Sequence, residues 1–265
     1  MRQILIAVHN YESSSRMLPP ASSNGYSFLA DVLPFLDQAQ YIDFNIPAFA
    51  TTTSLKNSKI SSLICPSDGT ACRGMQNFTS AGTTNYAGNL GYNQANLGFN
   101  GGLSPATSPS PLLSVGPIGF GDMTDGTSNT ALIAEILVGD GQLSDRRTNW
   151  FLTSSFTKDE FDLFVSSCNN RQFALFNGAP TGDAGSRGRP WLIGNDGSTL
   201  YTHVNKPNGL SCICNGAFMS AFTAASNHPG GVMVGFADGH ADFVSEAVDL
   251  EVWRSQGTRS GQEAN

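Results

Sequence analysis

A chain of 265 residues has room for one large domain or two small ones, and for a core that excludes water. Only 13% of its side chains are charged, about half the usual share, so neutral polar groups and exposed loops must wet the surface, as in secreted and cell-surface proteins. The net charge of −7, with no cluster of Lys and Arg, excludes a nucleic-acid partner, because neutralising phosphates requires a basic stripe.

Residues 1–16 read as the tail of a helix. Ile4, Val8 and Tyr11 recur near i, i+4, i+7 and make one apolar stripe. The stripe is expected to continue a longer helix and to serve self-association, which requires Ile4 and Val8 to be partly exposed or covered by a neighbouring chain. The segment is too weakly apolar for a signal peptide, and no run of 18 apolar residues spans a membrane. Pro19 and Pro20 end the helix. Residues 27–42 predict a second helix with Phe28, Val32, Leu36 and Ala39 on one face, split or kinked at Pro34. A short strand is expected over 61–65, ending in the turn Cys65-Pro66-Ser67-Asp68. The Gly-, Asn-, Ser- and Pro-rich stretch 82–117 predicts long surface loops, and the apolar run 130–138 a buried strand. Residues 139–225, with Trp150, Phe151, Phe161, Phe164 and Trp191 as scattered anchors, predict an inserted subdomain or elaborated loops.

The most explicit local pattern lies at 231–244. Two alternating runs flank Asp238-Gly239, and such a pair accepts the positive φ of a two-residue hairpin turn. Pairing outward from that turn sets Phe236 opposite Ala241 and Val234 opposite Phe243. Val232, Val234, Phe236 and Phe243 are then the core face, and Met233, Ala237, His240 and Asp242 the wetter one.

Five cysteines, Cys65, Cys72, Cys168, Cys212 and Cys214, cannot all pair within one chain. No Cys-x-x-Cys occurs, and Cys212-Ile213-Cys214 is poorly spaced for zinc, so disulfide pairing among Cys168, Cys212 and Cys214 is expected before metal ligation. Asp122, Asp125 and Asn129 lie in a loop of hard oxygen donors that could hold calcium; it lacks EF-hand spacing, and an N-capped turn explains the same residues. Hydrolase and nucleotide fingerprints are missing. A His228/Asp238 dyad fails on reach, since ten extended residues span about 33 Å; Asp238 opens a hairpin, and His228 precedes a proline that holds it extended.

Several segments resemble, in order, the planctomycete prepilin-like proteins. They are His9-Asn10-Tyr11 with Leu18-Pro19-Pro20, then Leu33-Pro34-Phe35-Leu36-Asp37-Gln38, Cys65-Pro66-Ser67-Asp68 and Asn85-Tyr86-Ala87-Gly88. Thr124-Asp125-Gly126-Thr127-Ser128-Asn129-Thr130 with Glu135 resembles the central motif of those proteins. Pro207-Asn208 with Cys212 follows, and His228, nine residues, then Asp238-Gly239 resembles the closing signature. The resemblance implies an α+β, pilin-like head in which the end of an N-terminal helix packs on an antiparallel sheet, with a long loop-rich insertion. It implies one domain over 1–265 whose residues 226–256 are the C-terminal hairpin and signature. It implies cleavage and methylation by a prepilin peptidase and a place outside the inner membrane; membrane contact is expected only through an apolar segment that this chain does not contain. Asp125, Gly126, Ser128, Glu135, His228, Asp238 and Gly239 are then structural signature positions. The expected function is a non-catalytic subunit of a pilus-like surface structure, partnered by its own copies or by other pilin-like subunits. The alternatives are a surface module binding a glycan or other ligand in an aromatic pocket near Trp150 or Trp191 and, behind that, an envelope hydrolase.

Overall fold

Residues 1–36, 42–69, 82–92, 98–106, 116–139, 147, 149–176, 179–180, 182–183, 186–215 and 219–261 are described by the structure, a computed structural model. Helix α1 (Arg2–Ser15) ends at Arg16, whose left-handed backbone returns its N–H to the Glu12 carbonyl. The prolines then turn the chain away. Ile4, Leu5, Ala7 and Val8 are wholly buried in the chain's own core, so the expected exposed stripe is corrected. These residues form the apolar face of α1, and Leu5 packs over Gly235 and Ile133 of the sheet. Ile6 is the large apolar side chain that α1 leaves in solvent.

Strands β1 (Ser22–Ser23) and β2 (Tyr26–Ser27) form a small ribbon. Helix α2 (Phe28–Val32) stops where Pro34 forbids its continuation, and Leu33–Leu36 tightens into a 3₁₀ turn. The rest of the expected helix, including Ala39, Asp37 and Gln38, lies outside the described residues, as does Cys72. A single turn, α3 (Thr53–Lys56), follows. The expected strand at 61–65 is instead a 3₁₀ turn over Ser61–Leu63. Its backbone groups go to one residue across the fold, Asn85, which donates its N–H to the Leu63 carbonyl and accepts the Cys65 N–H on Oδ1.

Strands β3 (Tyr86–Asn89) and β4 (Ala131–Glu135) are buried at every position. Placing β3 in the middle of a sheet corrects the reading of 82–117 as surface loop. Its Gly88 is small because a side chain there would strike Phe28 and Leu103, a packing reason that resembles loop composition. Beyond β5 (Trp150–Thr153) come α4 (Phe161–Asn169), the short strands β6 (Leu175–Phe176), β7 (Ala179–Pro180), β8 (Gly182–Asp183) and β9 (Leu200–Tyr201), then β10 (Ser211–Cys214) and β11 (Ser220–Ala221). The chain closes with β12 (Gly231–Phe236), β13 (Ala241–Ser245) and α5 (Leu250–Gln256).

The principal sheet has the order β13-β12-β4-β3-β9, antiparallel except for the β3–β9 pair. Across it, Gly88, Ile133 and Gly235 share one row. A side chain on Gly235 would meet Ile133 and Leu5 of α1 within 3.0 Å; this is the close approach of helix to sheet. The opposite face carries Ala87, Ala134, Val232 and Val234 against Trp253 of α5. With both faces covered, β4 reads as an unbroken apolar run rather than an alternating one. The fold is therefore α+β, with the N-terminal helix packed on a largely antiparallel sheet. A second sheet, ordered β11-β10-β5-β8, lies within 150–221. It has its own cluster of Phe161, Phe164, Met219 and Ala221, and the Cys168–Cys212 disulfide ties α4 to β10. Leu200–Tyr201 leaves this stretch to rejoin the principal sheet. No described helix is long and apolar enough to cross a membrane.

The C-terminal hairpin exists, but its register is shifted from the expected one. Gly235 pairs with Ala241, Val234 with Asp242, Met233 with Phe243 and Val232 with Val244. The turn holds three residues, Ala237 to Gly239: Phe236 donates to the His240 carbonyl, and Gly239 sits at φ +92°. That is the three-residue loop closed by a left-handed glycine. One extra turn residue sends every β13 side chain to the other face. Val244 is buried and Phe243 is 42% exposed, so Phe243 is removed from the expected core while Val232, Val234 and Phe236 remain in it.

Candidate functional site

Glu135 is the last residue of β4, a carboxylate at the end of a strand that is otherwise apolar and buried. One of its oxygens, Oε2, accepts the Met233 N–H at 3.0 Å. The other, Oε1, faces His228 Nε2 at 3.5 Å. The same Nε2 lies 3.6 Å from Cys65 Sγ. Thiol, carboxylate and imidazole come from three segments far apart in sequence, and their donor atoms all lie within 4.8 Å of one another; among the described residues this is the one such group of His, Cys, Asp and Glu. Cys65 and Glu135 also border a small cleft of about 10 Å³ lined by Ser67, Asp68, Asn85 and Ser226, room for about one water.

The surrounding polar residues hold this arrangement. Asn85 accepts the Cys65 N–H and donates through Nδ2 to Asp68 Oδ2 at 2.7 Å and to the Ile136 carbonyl at 3.0 Å. Asp68 Oδ2 also accepts the Val138 N–H at 2.9 Å. The Cys65-Pro66-Ser67-Asp68 turn is thereby stitched to the exit of β4. On the other wall, His228 donates its N–H to Ser226 Oγ, and Ser226 donates its own to Asn208 Oδ1. Asn208, at φ +61°, in turn donates to Glu246. The segments Cys65–Asp68, Asn85 and Glu135 thus meet at one cleft, with His228 against Cys65 and Glu135 and Asn208 joined through Ser226.

Chemically, this is not a nucleophile relay. A Cys-His-acid triad uses the two ring nitrogens for different partners; here Cys65 and Glu135 both address Nε2. Burial pushes the Cys65 thiol upward, and Glu135 adds to the rise despite lowering contacts from Ser67, which opposes a reactive thiolate. Three donors aimed at one point could instead hold a metal ion. Sequence reasoning singled out Glu135 and His228 as signature positions and rejected His228/Asp238, but did not join Cys65 to them. A signal was present: a lone Glu in a strand buried on both faces must have a polar partner.

Asp238 and Gly239 lie at the far end of β12 from His228, so the nine intervening residues span one strand and its turn. Asp238 accepts the His240 N–H and pairs with its ring, while its own N–H goes to Thr127. Ala237 donates to the Thr130 carbonyl, so the 124–130 motif packs on the turn. The Cβ of any residue at 239 would meet His9 Nε2 at 3.2 Å. Of the expected calcium donors, Asp125 and Asn129 border one pocket and Asp122 does not line it. Asp122 caps Gly119, Asp125 Oδ1 accepts from Gly261, and Asn129 donates to the Asp125 carbonyl; Gly126 takes φ +95° and Ser128 is exposed. Of the disulfide candidates, Cys168 pairs with Cys212 and Cys214 keeps a free thiol, as does Cys65 outside that set. Trp191 is wholly buried and donates to the Ser58 carbonyl, and Trp150 packs edge-on against Phe222.

No curated protein and no solved structure matches the chain. A family model does, over residues 1–251, which takes in both ends of β12 and every segment of the cleft. The chain belongs to the family described as protein of unknown function, DUF1559.

Proposed function

We propose that the chain is the extracytoplasmic head of a prepilin-like surface protein of the planctomycete type, a structural or assembly subunit rather than an enzyme. The observation that carries the reading is the docking of α1 along an antiparallel sheet, with Leu5 seated over Gly235 and Ile133. An N-terminal helix serving as the spine of such a sheet is the arrangement the resemblance implies. The Cys168–Cys212 disulfide supports an oxidising compartment. Partners are further copies or related subunits. Their contact on α1 would use the face bearing Gln3 and Ile6, beside a groove shared with Phe35 and Leu36, because Ile4 and Val8 are already buried. The glycan-binding alternative would rest on Trp150, which is half-buried, since Trp191 is core. Electron microscopy of the full-length native protein tests the reading: filaments or ordered surface appendages are expected. A monodisperse particle, recovered with Cys168 and Cys212 reduced in the cytoplasmic fraction, would remove it.

A further inference from the structure

We infer that Cys65, Glu135 and His228 are the protein ligands of one divalent transition-metal ion of the zinc class. The spacing of the donors carries the inference. At 3.5 Å, His228 Nε2 and Glu135 Oε1 are too far apart for a good hydrogen bond, which would bring them to about 2.7–3.2 Å. Ligand bonds of about 2.0–2.3 Å in a tetrahedron separate the ligand atoms by about 3.3–3.6 Å. The observed 3.5 Å and 3.6 Å separations fall in or at that range. Both converge on one imidazole nitrogen, and all three ligand atoms lie within 4.8 Å of one another, as ligands around a common centre do.

The donor set selects the ion. One thiolate, one imidazole and one carboxylate suit zinc and its neighbours; calcium and magnesium require six or more oxygens. A second shell is already built: Met233 fixes the remaining oxygen of Glu135, Asn85 fixes the Cys65 backbone, and Ser226 fixes that of His228. The Met233 contact orients the ligand carboxylate directly, and the other two hold the backbones that carry the thiol and the imidazole. Glu135 and Cys65 are buried while the His228 side chain is 37% exposed, so the ion enters from solvent on the His228 side and its fourth position faces outward. Bound there, it would clamp the Cys65–Asp68 turn and the 226–230 turn onto the end of β4. The ion would bind whether or not the chain assembles into filaments.

The test uses the full chain, purified with a thiol reductant too mild to open the Cys168–Cys212 bridge and stripped with chelator. Zinc titration against a chromophoric chelator is expected to give one equivalent per chain. The melting temperature should rise with zinc and not with calcium or magnesium. Cobalt should give a thiolate-to-metal charge-transfer band that Cys65→Ser abolishes. His228→Ala removes a partly exposed side chain and should fold; it and Glu135→Gln are expected to weaken zinc by more than about 100-fold, beyond the roughly 10–100-fold that second-shell changes cost. Asp125→Ala should leave zinc binding unchanged. The assignment is overturned by absence of stoichiometric zinc, by undiminished binding in folded Cys65→Ser and His228→Ala, or by a native disulfide at Cys65.

Discussion

Two histidines show opposite ways of placing an imidazole. His203 is wholly buried: Nδ1 donates to the Trp253 carbonyl at 2.7 Å, Nε2 accepts from Tyr201 Oη at 2.8 Å, and the ring stacks on Trp253 at 3.8 Å. Burial, only partly opposed by the Trp253 contact, depresses its pKa to about 3. Every polar atom of that ring has a partner within the fold, so its role is complete without a ligand. His228 has one nitrogen shared between the Cys65 thiol at 3.6 Å and a Glu135 oxygen at 3.5 Å, the latter longer than a good hydrogen bond. The difference teaches that a histidine's chemistry is read from what its nitrogens lack, and burial alone does not reveal it.

The contrast breaks first at His203. Replacing it by Ala would orphan the Tyr201 hydroxyl and the Trp253 carbonyl and open a cavity beside the indole, at a cost of roughly 3–5 kcal/mol in chemical denaturation. The pH dependence has a definite sign. Below about pH 6.5 the unfolded histidine binds a proton that the folded one refuses until about pH 3. This residue therefore removes stability as pH falls, at about 1.4 kcal/mol per unit. Asp31 and Asp196, raised by burial to about 7 and about 6, act in the opposite sense: the folded state takes up their protons first. The clean measurement is the difference between wild type and His203→Ala, which should narrow as pH is lowered from about 7 to about 4. A constant difference would mean that His203 is not held neutral.

The next largest effect belongs to the turn at the far end of β12. Gly239→Val meets both a positive φ and His9 and should cost roughly 2–4 kcal/mol, with the zinc response of the remaining folded protein intact. Gly230→Ala, at φ +84° with open space around it, should cost only about 1 kcal/mol. Equal costs would remove the His9 contact as a constraint. The hairpin register is sharpened by a pair on adjacent residues. Val244→Ala should lose about 1–2 kcal/mol and the larger Phe243→Ala under about 1 kcal/mol; the reverse order would restore the two-residue turn. The smallest effect is expected at the cleft. In chelator, His228→Ala should change stability by less than about 0.5 kcal/mol, and the gap from wild type should open only when zinc is added.

Much of the scaffold was legible in local pattern. The end of α1 before two prolines, the break at Pro34, the buried run of β4 and the C-terminal hairpin with a left-handed Gly239 all follow from short-range sterics and hydrophobic period. The errors came where long-range packing decided. A glycine-rich segment became a central strand because Phe28 and Leu103 occupy the space over Gly88. Ile4 and Val8 turned inward because a sheet made of residues far along the chain lies beneath them.

For the candidate site, the segments that build it were visible as motifs, and their residue types already offered a thiol, a carboxylate and an imidazole. That they meet was invisible, because 70 residues separate Cys65 from Glu135 and 93 separate Glu135 from His228. Sequence alone determined the end of α1, the break at Pro34, β4 and the C-terminal hairpin, since backbone sterics and side-chain period act over a few residues. Tertiary structure alone decided which donors share a centre and which face of β13 is wet. A single added turn residue reverses a strand, and a distance of 3.5 Å between atoms of remote residues exists only once the sheet has closed.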